Sequence, residues 1–163
     1  MKYLLHVSFF LLCACHVAAQ SQTTTDTVIV NMLNYTSEDK DSSRLEFDRT
    51  VQRYFNRNLR APMRGSEFML GYATVSFVVD KEGNVLNPQC PSMTNRTVGQ
   101  EALRVVKRLS NTRITPLNKN GEPVVAKVNI NICFTTGDQH SISAEEIKSK
   151  AAVVVVAYPP AHN

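Results

Sequence analysis

Hydrophobic positions along the chain fall in two rhythms, every second residue and every third or fourth, and the switching between them predicts a succession of strands and helices. "SRLEFDRTVQRYFNRNLRAP" places Phe47, Val51, Tyr54, Phe55 and Leu59 at helical intervals, with Ser43 and Glu46 at capping-box spacing and Pro62 as the stop. "YATVSFVV" alternates instead. Ala73, Val75, Phe77 and Val79 point one way and Tyr72, Thr74, Ser76 and Val78 the other, as in a strand with one buried face. In "DKEGN" the residues Gly83 and Asn84 tolerate positive φ, so the chain can reverse into a return strand from Val85. Pro88 and Pro91 cannot donate to a ladder, which places that return strand at a sheet edge. "TVGQEALRVVKRL" is a second helix: Val98, Ala102, Val105, Val106 and Leu109 form its stripe, Thr97 and Gln100 have capping-box spacing, and Lys107 and Arg108 sit in the last turn. "PLNKNGEP" reads as a loop. "VVAKVNINICF" then alternates again, with Val124, Ala126, Val128, Ile130 and Ile132 on one face and Val125, Lys127, Asn129, Asn131 and Cys133 on the other. The predicted order is helix, strand, strand, helix, strand, without internal repeats.

The flanks differ from this core. Lys2 followed by "YLLHVSFFLLCACHVAA" has the layout of a secretory signal peptide, with Val17-Ala18-Ala19 before Gln20 as the expected cleavage site. Lipid modification at Cys15 is the alternative, giving a lipoprotein held at a bacterial membrane. Residues 20–45 are polar, with "TVIV" (Thr27 to Val30) as one short edge strand in a linker. Residues 135–163 form a C-terminal extension with a short helical run near "SAEEIKSK" and a strand-prone "AAVVVVA" ending at Pro159.

Charge and chemistry narrow the function. The whole chain carries a formal net charge of +4. Without residues 1–19 the excess is one smaller, too little to argue for nucleic acid or an anionic membrane. Arg49, Arg53, Arg57 and Arg60 lie off the apolar stripe of the first helix; such a row can grip phosphate, or be an ordinary solvated face. Beyond the leader, the histidines are His140 and His162, both in the extension, which leaves no rigid frame for a Ser-His-Asp or Cys-His arrangement. Cys90 and Cys133 lack zinc-ligand spacing, and the glycines match no phosphate loop. No enzyme, metal or cofactor is expected. Asn34-Tyr35-Thr36 and Asn95-Arg96-Thr97 match the glycosylation pattern, which matters only in a host that uses it.

"GYATVSFVVDKEGNV", then "GQEALRVVKRL", then "NKNGEPVVAKVNINICF", resembles in order and spacing the C-terminal domain of TonB, the energy-transducing protein of the Gram-negative envelope. The resemblance runs from about Phe47 to Phe134, within a domain expected at residues 46–134. It implies a compact α+β domain, a three-stranded antiparallel sheet carrying two helices, in the periplasm. It also implies a last strand that is an edge, with which an extended segment of an envelope protein or TonB-dependent outer-membrane receptor pairs by strand addition. On this chain that edge is Val124 to Ile132, with Val125, Lys127, Asn129 and Asn131 as the partner-binding residues. The bland reading of the polar residues is that they guard an edge strand against aggregation, with Lys127 foremost. The usual anchor and proline-rich spacer are missing: residues 20–45 hold no proline. Three roles are open to the valine run Ala151 to Ala157: to fold back on that edge and cap it, making a closed structural component of the envelope; to stay disordered; or to pair between two copies as a homodimer. The family's strand order would hold Cys90 and Cys133 on opposite edges, two spacings of ~4.8 Å apart, so both are expected as free thiols.

Overall fold

A computed structural model of the chain describes residues 27–32, 42–137, 147 and 149–158. The expectations for the leader, for Cys15, for Asn34 and for both tail histidines lie outside these residues. The elements run β1 (Thr27–Met32), α1 (Ser42–Asn58), β2 (Met63–Arg64), β3 (Glu67–Phe68), β4 (Gly71–Val79), β5 (Val85–Met93), α2 (Arg96–Leu109), β6 (Leu117–Lys119), β7 (Glu122–Thr136) and β8 (Val153–Ala157). The predicted helix, strand, strand, helix, strand is present as α1, β4, β5, α2 and β7.

The sheet is larger than three strands and is not purely antiparallel. It has six strands, ordered β1-β7-β4-β5 with β6 and β8 also on β7. β4 pairs antiparallel with β7 along its whole length, from Gly71 opposite Phe134 to Val79 opposite Ala126. β1 and β8 run parallel to β7. Periodicity identifies strands but carries no information about which distant strand they join, so β1 was not predicted as a partner of β7, and pairing of β8 with it was one of three roles left open for the valine run.

Alternation decides the layers. Ala73, Val75, Phe77 and Val79 of β4 and Ala126, Val128, Ile130 and Ile132 of β7 are all buried, together with Val30 and Met32 of β1 and Val153 of β8. Against that face lie Phe47, Val51 and Phe55 of α1 and the whole predicted stripe of α2. Phe55 stacks on Phe77 with ring centroids 6.4 Å apart. Each such side chain contributes about 1.5–3 kcal/mol by leaving water, and together they fix both helices to one face of the sheet.

The caps differ from those expected. α2 is capped by Asn95, whose backbone is extended and whose side-chain oxygen accepts the Val98 amide at 3.0 Å, so asparagine takes the place assigned to Thr97. The Asn95 amide group donates to the Leu70 carbonyl. Ser43 does not close a capping box either: its hydroxyl donates to the Asn118 carbonyl at 2.9 Å and accepts the Asn118 amide at 3.2 Å, tying α1 to β6. "PLNKNGEP" is a hairpin rather than a loop. Asn120 (φ 55°) and Gly121 (φ 85°) form its two-residue turn, a pair suited to left-handed backbone. In the β4-β5 turn the Asp80 carboxylate accepts the Glu82 and Asn84 amides and the Asn84 side chain. Gly83 (φ 82°) is required there, since a Cβ would sit 2.0 Å from the Ile114 carbonyl oxygen.

Candidate functional site: the capped sheet edge

β7 is the site element, and its outer side is not an edge. Thr27 to Met32 pair with Val125 to Ile130, and Val153 to Ala157 pair with Ile132 to Thr136. Between the two, the Ala152 amide donates to the Asn131 carbonyl at 2.8 Å, and beyond the far end of β8 the Gly137 amide donates to the Ala157 carbonyl at 3.3 Å. Two pieces from opposite flanks of the domain thus form one interrupted strand. The valine run does fold back onto β7, but over residues 132–136 rather than 124–132. Most of the stretch assigned to it, Val125 to Ile130, is covered by β1, which is the short edge strand expected at Thr27 to Val30 extended to Met32.

The sequence-derived site residues are placed accordingly. Val125, Lys127 and Asn129 stand opposite Thr27, Ile29 and Asn31 of β1. The Asn129 side-chain amide donates to the Asn31 side-chain oxygen at 2.9 Å, so it binds the covering strand directly. Asn131 faces β4, where its side-chain oxygen accepts the Thr74 hydroxyl at 2.9 Å. Lys127 is exposed on the face away from the helices, level with Ile29 on one side and Val78 on the other. The four residues are brought into one strand, while their backbone edge is taken by the chain itself.

Cys133 is buried beside Tyr72 on this same strand, and Cys90 lies half-buried on β5; both are free thiols, with β4 between their strands. Burial pushes the Cys133 thiol up from its ordinary value, against a smaller opposing pull from its Tyr72 hydrogen bond. Burial raises Cys90 as well. Neither is activated as a nucleophile at neutral pH. Among the described residues no group of three histidine, cysteine, aspartate or glutamate side chains could hold a metal, and no helix is long and apolar enough to cross a membrane.

What the arrangement leaves available is the outer side of the cap. Neither "TVIVNM" nor "VVVVA" contains a charge or a proline. Ile29 is 64% exposed, and Val154 and Val156 are 38% and 40% exposed. Among the described residues no strand pairs with the outer side of either piece. An uncharged, proline-free outer strand is what sheets normally guard against, because its backbone groups template another strand.

Residues 60–136 match the family model described as Gram-negative bacterial TonB protein C-terminal. No curated protein matches the chain, and no solved structure does. The matched segment contains β4, β5, α2 and β7 but neither covering strand.

Proposed function

We propose, from the match of residues 60–136 to the TonB C-terminal family model, that this protein is a non-catalytic periplasmic binding module that adds an extended segment of an envelope protein to the outer side of β1 and β8. Export by the N-terminal leader belongs to this reading. So does a TonB-dependent receptor as one source of the segment.

The observation that carries it is the unguarded outer strand. Strand addition needs backbone donors and acceptors along an edge, with alternate side chains for register. β1 and β8 provide those without giving up anything buried. Displacing them from β7 would instead uncover Val30, Met32 and Val153, each worth about 1.5–3 kcal/mol of burial. In this chain the working edge has moved outward by one strand. Lys127 and Asn129 then act through the cap, Asn129 by holding Asn31.

A second reading is favoured by the same cap: a closed structural component whose edge is not used. Hydrogen exchange separates the two. Peptides spanning receptor periplasmic segments are added to the mature protein, and backbone amides are followed residue by residue. Strand addition protects outer amides of β1 or β8 while β7 stays protected. Ile29→Lys, which puts a guarding charge on the edge, abolishes the effect at β1, and Val154→Lys does so at β8. If no peptide alters any of these amides, the module is closed. Should β8 lose protection on binding, the segment displaces it.

A further inference from the structure

Among the described residues, three arginines of α1 enter no ion pair. Arg49, Arg53 and Arg57 recur every fourth residue and are exposed, so they form one line, with ~6 Å between neighbours along the axis. Arg53 and Arg57 line an open groove of about 480 Å³ whose opposite wall, after α2, carries Arg113; Thr50, Tyr54 and Thr112 complete it. No carboxylate lines this groove. The ion pairs nearby are formed by other residues, Arg44 with Asp48 and Arg104 with Glu101. Arg113 reaches the Asn84 side-chain oxygen at 3.4 Å and lies within electrostatic range of Asp80. Glu46 stands only in the adjoining cleft, beside Arg49.

We propose that this groove holds an acidic, extended peptide segment of a partner protein, with carboxylates at alternate positions facing Arg53 and Arg57 while Arg113 adds positive charge from the opposite wall. Alternate side chains of an extended chain are ~6.5–7 Å apart, close to the spacing of the arginine row. Guanidinium groups match carboxylates two bonds at a time. The threonine hydroxyls and the Tyr54 ring offer neutral contacts for the residues between. A single phosphate is too short to engage the whole row. The site lies on the helical layer and needs no open sheet edge, so it stands or falls apart from strand addition.

The test titrates the mature protein into fluorescein-labelled Glu-Ser-Glu-Ser-Glu-Ser-Glu at low salt and follows anisotropy. Saturable binding is expected, weakening as salt rises. Arg53→Glu with Arg57→Glu should weaken it about tenfold or more, and Arg53→Gln with Arg57→Gln by a smaller factor, each variant keeping the parental circular dichroism and melting temperature. A block peptide, Glu-Glu-Glu-Glu-Ser-Ser-Ser, should bind several-fold more weakly. Equal affinity for block and alternating peptides overturns the proposal, as does indifference to the charge reversals. So does binding to vesicles containing anionic phospholipid that the alternating peptide cannot compete away.

Discussion

The two sides of the sheet solve the same problem by different means. On the β5 side the strand itself is spoiled. Between Val78-Leu86 and Ser76-Gln89, and again between Ser76-Gln89 and Thr74-Ser92, β5 has one residue more than β4 opposite it. Those bulges contain Asn87-Pro88 and Cys90-Pro91, and Asn87 has a φ of 52°. Missing donors and a bent backbone make this side unfit for pairing, permanently. On the β7 side the strand is regular and is simply occupied, by β1 and β8. Protection built into covalent structure cannot be lifted; protection by occupancy can be, or can be extended by one more strand. The proposed strand addition therefore belongs to the β7 side.

Removing the occupant gives the largest effect. Deleting residues 138–163 takes away β8 with the buried Val153, Ala151 and Ala157, and should cost about 3 kcal/mol or more in urea unfolding. The bared Ile132 to Thr136 should also drive self-association in sedimentation. A stable monomer after deletion would show that occupancy is not what closes this side. A smaller effect is expected from Pro88→Val with Pro91→Val, which returns two donors to β5. Stability should change by less than about 1 kcal/mol, while light scattering reports concentration-dependent association. If association does not appear, the bulges alone guard that side.

The smallest effect concerns the turn that sets β5 against β4. The hydrogen bond from the Asn84 side chain holds the Asp80 carboxyl below its ordinary 3.8, opposed by desolvation and aided by the Asn84 and Glu82 amides and by Arg113. A carboxyl lowered on folding contributes stability above its unfolded pKa and loses it as pH falls through the folded value. Melting temperature should therefore decline below about pH 4, and less so in Asp80→Asn. Equal declines in both proteins would put the acid-sensitive group elsewhere.

The central layer was legible because its signals are local. Alternation in β4 and β7 and the stripe of α2 depend on residues a few positions apart, and those residues are buried as expected. The prolines of β5 announced an edge for the same reason. What could not be read was pairing at a distance. Nothing in "TVIVNM" says that it lies parallel to Val125 to Ile130, and "VVVVA" matches any edge equally well. The polar residues of β7 were correctly set on the face away from the helices, yet Asn129 spends its side chain on Asn31, a partner 98 positions away. Ser43 and Thr97 fitted capping spacing, but Asn118 and Asn95 were better placed to complete those contacts.

The two covering strands also differ in how soon they can arrive. Ile132 and Val153 are 21 positions apart, whereas Asn31 and Asn129 are separated by 98. Loop-closure entropy makes the longer connection about 1.4 kcal/mol harder to form, so β8 should dock early and β1 late during folding. For that interval Val125 to Ile130 is regular, hydrophobic on one face and uncovered, and the first strand to reach it need not come from the same molecule. Exchange of β1 between two newly made chains is the misassembly this topology invites.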